Sequence, residues 1–129
     1  MNAIKTADHL VKLSEGLLFP SESEYALEKI LWTAAALTPE TILKRSQKPA
    51  DTPIKAIALD DFFAPVVTEQ DWHDDEDRIT VQRFRDLQTA IATLENVQVF
   101  RVGQIEIDVY IVGAIGSDVV GLKTTVIET

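Results

Sequence analysis

Hydrophobic and polar positions change their period along this chain, and the change divides it into a helical part and a sheet part. Ile4, Ala7, Leu10, Val11 and Leu17 or Leu18 fall on a 3.6-residue repeat that Gly16 interrupts, which predicts an amphipathic helix over residues 4–15. Residues 25–36 read two ways. Ala26, Leu27, Glu28 and Lys29 favour a helix, whereas Tyr25, Ile30 and Trp32 suit a strand. Thr38-Pro39 has the form of an N-cap followed by proline at the first helical position, so residues 39–46 are expected to be helical. A proline-containing loop over 47–53 follows. A strand is expected over 54–59, then Asp60-Asp61-Phe62-Phe63 and a break at Pro65. The strongest helix is expected over 74–94, where Ile79, Val81, Phe84, Leu87, Ala90, Ile91 and Leu94 keep helical spacing.

Beyond Asn96 the period drops to two. Val97 and Val99, then Ile105, Ile107, Val109 and Ile111, alternate with Glu106, Asp108, Tyr110 and Val112, and Gly103 sits where a tight hairpin would turn. A second turn at Gly116-Ser117-Asp118 leads into a strand over 119–127. Helices mostly first and an antiparallel meander last make an α+β fold, an antiparallel sheet covered by helices. A chain of 129 residues fits one domain spanning 1–129 and can bury roughly two-thirds of its unfolded surface.

Composition narrows the chemistry. The absence of cysteine excludes disulfides, thiolate zinc sites and thiol nucleophiles. No basic and apolar leader is visible, and no apolar run approaches the roughly 20 residues of a membrane-spanning helix, so the chain reads as soluble and cytoplasmic with no membrane partner. A net charge of −9 argues against direct contact with nucleic acid, because affinity for a polyanion comes from Lys and Arg releasing counterions. The partners this charge suits are cationic surfaces, or metal ions held by one.

The acids are not spread evenly. Glu69, Asp71, Asp74, Asp75, Glu76 and Asp77 place six carboxylates within nine residues, with no base before Arg78. Acids belong at a helix N-terminus, where they meet the positive end of the dipole, but Trp72 among them reads as an interface anchor. His73 with its neighbouring aspartates lacks the glycine and closing glutamate of a calcium loop, so a solvated histidine is expected, and His9 reads as structural. Ser21-Glu22-Ser23-Glu24 follows an apolar Leu17-Leu18-Phe19-Pro20 and reads either as a surface turn or as an anchored loop presenting carboxylates. The run Val126-Ile127 ends on Glu128 and Thr129, whose oxygens a packed strand would hold at a fixed place, as a stand-in for phosphate. Carboxylate pairs such as Asp60/Asp61 and Glu22/Glu24 could act as acid and base only if their surroundings split their pKa values, which a sequence does not show. No phosphate loop, dinucleotide fingerprint, nucleophile elbow or zinc motif occurs, so neither an enzyme nor a cofactor is expected.

Leu17-Leu18-Phe19 running into Ser21-Glu22-Ser23-Glu24-Tyr25, with Leu31-Trp32, Gln70-Asp71-Trp72, Val109-Tyr110 and Glu128-Thr129, resembles the cyanobacterial nuclease A inhibitor family over nearly the whole chain. The resemblance implies a one-to-one inhibitor, monomeric when free, of a sugar-nonspecific, magnesium-dependent ββα-metal nuclease. It implies an α/β/α sandwich similar to the PR-1 arrangement, with residues 25–34 as a strand. It also implies that Glu22 pairs with an active-site arginine of the nuclease and that Thr129 reaches the nuclease's magnesium, which is the only metal contact expected. Ser21, Ser23, Glu24, Asp71, Trp72, His73, Asp74, Asp75 and Glu128 complete the expected contact set. His73 stands where the family pattern has an aromatic. An acidic adaptor of the same fold that binds another basic protein is the alternative.

Overall fold

The computed structural model describes residues 2–128. Among them are four helices, a five-stranded antiparallel sheet and a two-stranded one. The first helix, α1 (Ala3–Ser14), opens on Asn2, whose side chain accepts the Lys5 N–H at 2.8 Å. Its buried stripe is Ala3, Thr6, Ala7, Leu10 and Ser14, so Ile4, read as core, instead stands 62% exposed. Arg83 closes the other end by donating to the Leu13 carbonyl at 3.2 Å and to that of Glu15.

The ambiguous segment is extended as far as Trp32, two residues short of the strand that the resemblance implied, because Thr33 and left-handed Ala34 form a turn. The strands β1 (Leu18–Phe19) and β2 (Tyr25–Ala26) pair as a small hairpin, and β3 (Glu28–Trp32) continues as an edge of the main sheet. Pairing overrides the helix propensity of Ala26 to Lys29, because Leu18 on β1 pairs with Ala26 and Lys123 and Leu122 on β7 pair with Glu28 and Lys29. Helix α2 (Pro39–Ser46) is the one predicted, with Thr38 as N-cap and left-handed Gln47 closing it.

The next stretch departs from expectation. Strand β4 (Ile54–Ile57) ends two residues early, and α3 (Leu59–Val67) runs through Pro65. Pro65 deprives only the Asp61 carbonyl of a helical donor, and the helix stops two residues later, so the disruption is small. Arg85 caps the far end by donating to the Val67 carbonyl at 2.9 Å. Helix α4 (Asp75–Ile91) starts with a reciprocal capping box. Asp74 accepts the Asp77 N–H at 2.8 Å and Asp77 accepts the Asp74 N–H at 3.2 Å.

The meander is as expected: β5 (Glu95–Val102), β6 (Glu106–Ile115) and β7 (Asp118–Ile127), in a sheet ordered β3-β7-β6-β5-β4 with every pair antiparallel. Helices α1, α3 and α4 cover one face over a core that includes Phe63, Leu87, Val109, Ile111 and Leu122. Helix α2 covers part of the other, over Ile42, Phe100, Val102, Tyr110 and Val112. On that second face Tyr110 is flanked by Trp32 and Lys123, and its phenol is pushed up to about 12, first by burial and then by Asp108.

One position in the centre of the sheet admits no side chain. A Cβ at Gly121 would lie 1.9 Å from the Ile111 carbonyl oxygen. Gly121→Ala is expected to lower stability by about 3 kcal/mol or more, because the clash is with backbone that cannot rotate away. Urea unfolding measures this, and a midpoint equal to that of the parent protein would refute it.

The turn between β5 and β6 corrects a second expectation. Ile105, read as the first inward residue of the next strand, lies in the turn with φ 64° and 62% of its surface exposed. A left-handed conformation costs a residue with a Cβ about 1–2 kcal/mol.

Candidate functional site

The β1–β2 hairpin carries Ser21-Glu22-Ser23-Glu24 at its tip, and Phe19 anchors it. The Phe19 ring is buried, stacked on Phe62 at 4.3 Å and set edge-on to Phe84 at 6.2 Å. An apolar foot of this kind fixes where a polar loop emerges.

The loop tip is tied to the end of β7. The Ile127 N–H donates to Ser21 Oγ at 3.0 Å, and the Glu22 N–H donates to the Ile127 carbonyl at 3.3 Å. Ser21 Oγ also accepts the Ser23 N–H at 3.3 Å and donates to the Ser23 carbonyl at 2.6 Å. This one hydroxyl therefore shapes the loop and joins it to residues about a hundred positions away. On the other side of the tail, the Glu128 N–H donates to the Ile105 carbonyl at 2.8 Å, and its carboxylate is paired with Arg101 on β5. The residue before Thr129 is thus held by both backbone and side chain. Thr129 itself lies outside the described residues.

Two adjoining hollows show how the three acidic stretches meet. A hollow of about 470 Å³ has Ser21 and Glu22 on one wall, Val126 to Glu128 on another, and Asp61 with Phe62 of α3 on a third. A second, of about 520 Å³, runs from Leu18 and Glu24 to Trp72, His73 and Asp77. Pro20 and Pro65 line both, so they form the ridge between them. Glu22 and Glu128 therefore share one hollow, and Glu24 faces Trp72 and His73 across the next.

The segment before α4 is locally built. Gln70 and His73 close a turn in which the His73 N–H donates to the Gln70 carbonyl at 3.1 Å, while His73 Nδ1 accepts the Gln70 N–H at 3.1 Å. This turn lifts Trp72 out to 76% exposure, with the His73 ring edge-on against it at 4.3 Å. Asp71, Asp74 and Asp75 are exposed beside it. Asp74 is also the α4 cap, and Asp75 pairs with Arg78 at 3.6 Å. Among the described residues, no three His, Asp or Glu side chains are grouped so as to hold a metal ion. No helix among them is long and apolar enough to cross a membrane.

Sequence reading missed Asp61, Arg101 and Ile105 as parts of this rim. Asp61 was visible only as a carboxylate pair with Asp60, and Asp60 in fact accepts the Gln88 side-chain N–H at 2.8 Å. Arg101 gave no signal, being one base within an apolar strand.

A sequence model of the nuclease A inhibitor-like protein family matches residues 4–129. The chain belongs to that family. No curated protein matches it. The nuclease A inhibitor-like match spans nearly the whole chain, so the hairpin tip, the Gln70–His73 turn and the end of β7 all fall inside it.

Proposed function

We propose that this protein is a stoichiometric inhibitor of a sugar-nonspecific, magnesium-dependent ββα-metal nuclease, and that it fills the nuclease active site with the Ser21 to Glu24 loop and Thr129. The observation that carries this reading is the tether of Ser21 and Glu22 to Ile127, which puts the acidic loop and the end of β7 on one rim. In this reading Glu22 takes the arginine that would stabilise the transition-state charge, through a charge-assisted hydrogen bond worth about 1.5–3 kcal/mol. Thr129 supplies oxygen to the nuclease's magnesium, a hard cation suited to such a ligand, and displaces water needed for phosphodiester hydrolysis. No cofactor or metal of the inhibitor's own enters.

Two polar plugs do not give tight binding by themselves. Nanomolar inhibition needs about −12 kcal/mol, and a standard interface engages roughly 20–30 residues a side. Trp72 is the natural apolar anchor of that larger surface, with Asp71, His73, Asp74 and Asp75 around it and Ser23, Glu24 and Glu128 closing the rim. A net charge of −9 would speed encounter with a basic cleft and make the rate fall with salt. The same reading takes the protein to be monomeric when free, cytoplasmic and without direct contact to nucleic acid. It also takes the fold, with helices on both faces of an antiparallel sheet, as a PR-1-like α/β/α sandwich.

The test is a titration of a magnesium-dependent nuclease from the same source. Activity on DNA and RNA is expected to fall linearly to zero at one equivalent of the protein. Tight binding with full activity retained would reject inhibition and favour an acidic adaptor.

A further inference from the structure

Ile105 carries two unfavourable features that no contact among the described residues offsets. It is β-branched in a left-handed conformation, and most of its side chain faces water. Among the described residues its carbonyl accepts the Glu128 N–H, a bond that any residue would supply. Glycine or asparagine would adopt the same backbone with less strain. Strain of this kind concentrates where a protein binds. The residue stands beside Glu128, whose carboxylate is held by Arg101 on the preceding strand, so the Ile105 side chain flanks the point where the tail leaves the sheet.

We infer that Ile105 is a contact residue for the partner, an apolar prong that seats on an apolar patch of the nuclease just outside its metal cleft. This rests on the proposed inhibitor function and adds a surface to it, on the side of the tail opposite the Ser21–Glu22 loop. The 62% of this residue that folding leaves in water is removed from it when a complex forms, so that surface contributes to binding rather than to the fold.

The experiment compares the wild-type protein with Ile105→Gly and Ile105→Asn, measuring the thermal midpoint, the dissociation constant for the nuclease, and amide hydrogen exchange at Glu128 in the free protein. The expected result is a midpoint raised by roughly 2–5 °C, Glu128 protection retained, and affinity weakened roughly 10- to 30-fold, equivalent to about 1.4–2 kcal/mol. Unchanged affinity in both variants, with the wild type inhibiting normally, would overturn this inference alone. Weakened affinity with Glu128 protection lost would also overturn it, since the residue would then act by holding the tail. A wild-type protein that leaves the nuclease unbound would overturn the inhibitor reading and this one with it.

Discussion

Deletion of Thr129 and the substitution Glu22→Ala are each expected to weaken inhibition of the cognate nuclease by roughly 100-fold, about 2.7 kcal/mol. The reason is the same in both cases. A charged or metal-bound group on the nuclease, desolvated by the rest of the interface, loses the oxygen that compensates it. Leaving such a group buried without a partner accounts for much of the loss when one member of a pair is truncated. The backbone tether of the loop should survive, because the Glu22 N–H donates to the Ile127 carbonyl and keeps that bond as alanine. Ser21→Ala tests the tether between the loop and the tail. It removes the hydroxyl that accepts the Ile127 N–H, so it should weaken inhibition while leaving Glu22 and Thr129 chemically intact. Inhibition constants for the variants, with circular dichroism as the fold control, decide the matter. Wild-type inhibition by both the Thr129 deletion and Glu22→Ala would remove the mechanism.

Trp72→Ala is expected to cost roughly 30-fold in affinity or more, at or above about 2 kcal/mol, with less than about 0.5 kcal/mol of change in stability. Trp72 is 76% exposed, so its truncation opens no cavity, and the Gln70–His73 turn beneath it is held by hydrogen bonds that do not involve the indole. Buried Phe19 supplies the contrast. Phe19→Ala would remove the ring that stacks on Phe62 and should lower stability by about 3–5 kcal/mol. Calorimetric binding and chemical unfolding on the two variants should therefore show opposite patterns. A Trp72→Ala protein that binds as tightly as its parent would remove the anchor role.

The order in which these features became legible has physical causes. The meander over β5, β6 and β7 and the helix behind Thr38-Pro39 were visible because period and capping are local signals. Helix α3 was not, since its nine residues hold a proline and its N-cap, Ala58, makes no side-chain hydrogen bond. The strand at 28–32 was ambiguous because its local propensities conflict and only pairing with β7 decides between them. The acidic stretches could each be found along the chain. Their meeting at the Pro20 and Pro65 ridge depends on α3, the element that periodicity did not reveal. Ile105 was misplaced for a related reason: alternation extended the strand one residue into the turn, and a left-handed isoleucine is the last conformation that propensity would suggest.

The acids before α4 serve two purposes at once. Asp74 and Asp77 satisfy backbone donors that a helix start leaves open, and Asp75 and Glu76 meet the positive end of the helix dipole. The ordinary structural reading of that cluster is therefore correct for four of its six members. Glu69 and Asp71 lie outside the helix, on either side of Gln70, next to exposed Trp72. A fold that already needs acids at this place acquires a negative rim without further destabilisation.

The most direct measurement is the hydration of the nuclease metal, read by water-proton relaxation with manganese in place of magnesium. Binding of the full protein is expected to displace metal-bound water and lower the relaxation enhancement, whereas the protein lacking Thr129 should bind more weakly and, at saturation, leave the hydration nearly unchanged. Full water access to the metal in a saturated complex with the intact protein would contradict a plug that reaches the active site.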